Sequence, residues 1–141
     1  MEERLDPISG REEYITVDDL RESLKTVEGI DRLGRTKAAE ARAGRRFARI
    51  LSNPPLYVYM GLNEDYLVIP RTFCSCNGFI IQVVGEGKRP YCSHLAALEI
   101  VGDDYIDLSE RLTVEDVVGI ILELLYYKRS KILRRLVYGG Q

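Results

Sequence analysis

The feature that most constrains this chain is FCSCNGFIIQVVGEGKRPYCSHLAAL, residues 73–98. It holds Cys74, Cys76, Cys92 and His94, which are all three cysteines and the single histidine of the 141-residue sequence. Four soft ligands fall in the span 74–94 as two pairs, each pair separated by one residue. In a strand, residues i and i+2 point to the same side, so Cys74 and Cys76 at the end of an extended run can aim two sulfurs at one point. In a helix the same spacing diverges by about 200°. Cys92 is therefore expected just before a helix and His94 in its first turn, with the positive helix N-terminus favouring thiolates.

Three thiolates and an imidazole are a common tetrahedral set for structural zinc. With neutral imidazole and one divalent ion the site sums to −1, a charge that Lys88 and Arg89 in the preceding loop can offset. The competing reading, buried cysteines and a satisfied histidine with no metal, leaves the paired spacing unexplained. A catalytic zinc is disfavoured because four protein ligands leave no position for water. A Cys–His nucleophilic dyad is disfavoured because no second imidazole exists to act as base. The chain is accordingly read as no enzyme.

The remaining sequence is that of a soluble globular protein, 45% hydrophobic and 30% charged, long enough for one core. No apolar run reaches the 18 residues of a membrane span, and the acidic start MEERLDPISG lacks the apolar core of a secretory signal. With an odd cysteine count, this points to reduced thiols and a cytoplasmic location, or a nuclear one in a eukaryote. Three Asn and two Gln beside plentiful Arg, Glu and Ile hint at a thermophile.

Local signals predict helices on both sides of the cysteine stretch. Thr16 with Asp19 opens one that runs to Gly29, with Val17, Leu20, Leu24 and Val27 as its apolar stripe. A second is predicted over Thr36–Leu51, with Ala39, Ala43, Phe47 and Ile50 on one face, Arg42, Arg45 and Arg49 on another, and Asn53-Pro54-Pro55 as its stop. LYVYMGLNEDYLVIP reads as a hairpin turning at 61–65. GFIIQVV is a further strand candidate, and SHLAALEIV, residues 93–101, a short helix closed by Gly102. Thr113 with Asp116 caps a last helix that continues through the basic tail KRSKILRRLVYGGQ. The apolar run Val117–Leu125 covers nearly its whole circumference and belongs either to the core or to a partner interface.

The spacing Cys-x-Cys, fifteen residues, Cys-x-His resembles the signature of the SWIM zinc finger, over about residues 56–101. The resemblance implies a short β-hairpin followed by a helix, with zinc on Cys74, Cys76, Cys92 and His94. The expected fold class is α+β: a small β-hairpin or sheet zinc module at 56–102, flanked by helical regions 1–55 and 103–141, in one compact domain. CSHLAA, with Ala97 three residues after His94, is similar to the Cys-x-His-x-x-Ala form of SWIM subunits of Shu-type complexes, which have archaeal relatives. That resemblance implies an adaptor acting with a RecA-family recombinase paralogue in homologous recombination and DNA repair. No nucleotide-binding motif is present, and GEGKRP is too short and wrongly placed for a phosphate loop, so any ATPase must belong to the partner.

The alternative is a stand-alone SWIM-type nucleic-acid binder. Its candidate contacts are Arg42, Arg45 and Arg49, together with Lys128, Lys131 and Arg135, which share a face opposite Ile132 and Leu136 on a continuous helix. A charge run of this kind is more often simply a solvated helix face, and both sets carry that reading first. Tyr57, Tyr59 and Tyr66 can stack on bases or sit half-buried in the sheet.

Overall fold

A computed structural model describes residues 32–87 and 91–139. The helix expected over 16–29 and the residues Lys88 and Arg89 lie outside the described residues. No helix among the described residues is long and apolar enough to cross a membrane. The architecture is α+β, with a mixed five-stranded sheet covered by helices on both faces.

Helix α1 spans Arg32–Gly44 and buries Gly34, Ala38 and Ala41, spaced as one helical face. It ends earlier than Leu51. Arg45 N–H donates to the Arg42 carbonyl and Arg46 N–H to the Ala41 carbonyl at 2.9 Å, a Schellman closure with Arg45 at φ 52° in the left-handed position. An arginine in the place usually held by glycine is why the stop is hard to read. Strand β1, Phe47–Ser52, follows directly. Both faces of β1 are covered, so Phe47, Ala48 and Ile50 are all buried and the period-two signal is lost. Asn53 and Pro54 form a turn between strands where a helix stop was expected.

Strand β2, Pro55–Met60, pairs antiparallel with β1 and with β3, Asp65–Ile69, in the hairpin expected, with Tyr59 opposite Tyr66. Strand β4 is the pair Phe73–Cys74 on the edge beside β3. Strand β5, Ile106–Asp107, pairs parallel with β1 on the other edge, giving the order β4-β3-β2-β1-β5. The sheet thus draws strands from both sides of the segment 56–102.

GFIIQVV is helical, not extended. Phe79–Gly85 forms a π-helical segment with Phe79 and Val83 inward and Ile80, Ile81 and Val84 exposed. Its first turn is set by Cys76, whose sulfur accepts the Phe79 amide at 3.3 Å and whose carbonyl accepts the Ile80 amide at 3.2 Å. An apolar run this short does not distinguish strand from buried helix by periodicity.

Helix α2, Ser93–Val101, stops at Gly102 as expected and packs on α1. Ala38 and Ala41 of α1 meet Ala96 and Ala97 of α2 in one buried cluster, where small side chains permit close approach. Helix α3, Val114–Tyr127, covers the other face of the sheet through Val117, Ile120 and Leu124 against Ala48, Ile50, Val58 and Met60. The Thr113–Asp116 capping box is formed in both directions, at 3.0 and 3.1 Å. The helix does not continue into the tail. Lys128 turns left-handed at φ 60°, and Ser130 caps a new short helix α4, Lys131–Arg134, by accepting the Leu133 amide at 3.1 Å. A π-helical turn, Arg135–Gly139, follows.

Candidate metal centre

The hairpin, the turn after β4 and the start of α2 converge on one point. Cys74 closes the edge strand, and Cys76 sits in the following bend. Cys92 is the N-cap of α2 with extended backbone (φ −95°, ψ 173°), and His94 lies in the first turn. These positions match the expectation for the Cys-x-His pair. The Cys-x-Cys pair differs, since only Cys74 is in a strand. The four ligand atoms lie within 4.8 Å of one another, and all four residues are buried. Nδ1 of His94 is 3.8 Å from Cys74 Sγ. The histidine ring packs against both Tyr59 and Tyr66, at centroid distances of 4.6 and 4.8 Å.

The three buried thiols perturb one another strongly. Burial pushes the Cys74 thiol well up. Hydrogen bonds from Cys74 and Cys92 hold Cys76 far below the usual thiol range. Cys92 is pulled down by its bond with Cys74, but the bond with Cys76, burial and the Cys76 charge outweigh this and push it up to about 12. Ionising all three thiols together is disfavoured, because three anions in a low-dielectric pocket repel one another. A divalent ion supplies the missing positive charge and deprotonates coordinating thiols. The donor set and its closeness therefore fit a metal ion, with sulfur favouring a soft or borderline one. Around a tetrahedral ion, four protein donors would leave no open position.

The arginine face expected on one helix is not formed, because the helix ends at Gly44. Arg42 is on α1, where it donates to the Ile100 carbonyl and pairs with Asp104 at 3.4 Å. Arg45 is the left-handed residue after α1. Arg49 is on β1, forked onto Asp107 at 2.6 and 3.2 Å, which holds that carboxyl far below its usual range. Lys128, Lys131 and Arg135 are exposed, but the left-handed break at Lys128 puts them on three elements and not on one helix face. Tyr57 and Tyr59 are buried sheet residues, and Tyr66 is half-buried.

One buried polar cluster has no sequence signature. The Asp65 side chain, fully buried on β3, accepts from Arg134 Nε at 3.1 Å and from the Ser130 amide at 2.8 Å. The Asp65 amide in turn donates to the Lys128 carbonyl at 2.8 Å. This latch ties the break after α3 to the β2–β3 hairpin over 60 residues of sequence, so local patterns cannot reveal it. Compared with family models, curated proteins and solved structures, the chain matches none.

Proposed function

We propose that the metal is zinc, that its role is structural, and that the chain is a SWIM-type adaptor without catalytic activity of its own. The partner in this reading is a RecA-family recombinase paralogue, acting in homologous recombination and DNA repair. The observation that carries the adaptor reading is the outer face of α3. Val114, Val118, Leu122, Leu125 and Tyr126 are between 46% and 77% exposed and follow one another at helical spacing beside the buried Val117, Ile120 and Leu124. An apolar stripe of this kind on a rigid helix is the form that a partner groove recognises. The closed Cys3His centre supports a structural metal, since it leaves no site for substrate or water. The partner's class rests on the Cys-x-Cys and Cys-x-His resemblance, and any ATPase activity resides in that partner.

DNA contact, in this reading, is made through the partner and the exposed Lys128, Lys131 and Arg135, because Arg42 and Arg49 are committed to Asp104 and Asp107. The test is co-expression with each RecA-like protein of the same genome, followed by size-exclusion chromatography. Co-elution of the wild type and its loss in Leu125→Glu, with zinc content unchanged, support the reading. A chain that ignores every such protein refutes the adaptor role and leaves the stand-alone nucleic-acid binder, which a salt-dependent DNA affinity of the isolated chain then tests.

A further inference from the structure

A groove of about 660 Å³ opens on the sheet face opposite α3, between α1 and the β2–β3 hairpin. Lys37, Arg46, Tyr59, Glu64, Tyr66 and His94 line it. Two polar side chains, Tyr59 and His94, stand at its floor. Tyr59 is 2% exposed, and no hydrogen bond from a described residue engages its hydroxyl. His94 is 8% exposed, and its Nδ1 lies 3.8 Å from Cys74 Sγ.

Buried donors are rarely left unsatisfied, and a metal-bound histidine ordinarily donates its second N–H to a carboxylate, carbonyl or water. Among the described residues no carboxylate or carbonyl bonds to this histidine ring, whose polar contacts are with the cysteine sulfurs. Lys37 stands above the Tyr59 ring, its ammonium 5.7 Å from the centroid and 3.2 Å from Glu40. Arg46 uses one N–H on the Met60 carbonyl at 2.8 Å. Lys37 and Arg46 balance Glu40 and Glu64, so recognition falls to the placed donors at the floor and not to net charge.

We propose that this groove binds a carboxylate, which accepts from the Tyr59 hydroxyl, the metal-distal N–H of His94 and the Lys37 ammonium. The carboxylate comes either from a small free acid or from an acidic side chain of an extended peptide. It completes the hydrogen bonding of the metal-ligating histidine, and it does so on the face of the sheet that the α3 stripe does not occupy.

The test uses the full, zinc-loaded chain labelled with nitrogen-15. Glutarate and the peptide acetyl-Gly-Glu-Gly-amide are titrated separately into the millimolar range while the His94 ring N–H signal is followed. A saturable shift with glutarate alone assigns a free acid, with the peptide alone an acidic segment, and with both the carboxylate as such; each supports the proposal. Tyr59→Phe is expected to weaken binding about five- to tenfold, the worth of one hydrogen bond, with zinc content unchanged. Should Tyr59→Phe lose zinc, Lys37→Met takes its place with the same expectation. No shift with either probe, or unchanged affinity in the variant, overturns the proposal and leaves a hydrated groove.

Discussion

Replacing Asp65 by alanine probes the joint between the hairpin and the C-terminal helices. The carboxylate is fully buried and accepts from Arg134 and from the Ser130 amide, while Arg134 is 18% exposed and also donates to the Gly61 carbonyl. Removing one partner of a buried ion pair costs about 3–5 kcal/mol, because the other charge is left uncompensated. Here the guanidinium keeps the Gly61 carbonyl and some water, which places the expected loss near the lower limit, about 3 kcal/mol. Part of that is the Ser130 amide, orphaned at the N-cap of α4, since a buried unpaired donor alone costs about 1–3 kcal/mol. Against a total stability of about 5–15 kcal/mol for a domain, this is a large share. Urea unfolding should show the midpoint falling with little change in slope, and the thermal midpoint should drop by about 10 °C. Arg134→Ala should cost a similar amount and the double variant clearly less than the sum, because the two changes remove the same interaction. A loss below about 1 kcal/mol in Asp65→Ala, or simple additivity, would refute the latch.

Cys76→Ser should abolish stoichiometric zinc, measured by elemental analysis of purified protein, whereas Asp65→Ala should keep it. Chelation of the wild type should lower its thermal midpoint, because binding energy at a structural site is folding energy. Metal affinity should rise with pH. The Cys74 and Cys92 thiols are raised, so each resists the proton loss that coordination requires, while Cys76 is lowered by its bonds with them. The apparent affinity should therefore rise with pH, with protons released as the metal binds, their number set by the raised thiols. Calorimetry in buffers of different ionisation enthalpy checks the count, and an affinity flat across pH 6–8 would contradict it. Thr113→Ala removes the acceptor of the Asp116 amide and should cost about 1 kcal/mol in denaturant unfolding.

Much of the metal centre was legible in the chain itself. Ligand chemistry depends on residue type and short spacing, and the helix geometry at Cys92 and His94 follows from the divergence of i and i+2, so both could be read without a fold. The hairpin and the Thr113 box were legible for the same reason, being signalled within a few residues. What only the tertiary structure decided were the places where burial overrides local pattern. Phe47 and Ile50 carry a helical spacing but serve a strand, because helices cover both faces of β1 and erase its alternation. Arg45 and Lys128 end helices in left-handed conformations without glycine, held by the Ala41 carbonyl in one case and by the Asp65 latch in the other. Those breaks disperse the arginines and lysines that local spacing alone places on shared faces. They also set α3 with one flank in the core and the other open, a division that a helix apolar on nearly every side does not disclose, since which flank is covered depends on residues distant in sequence.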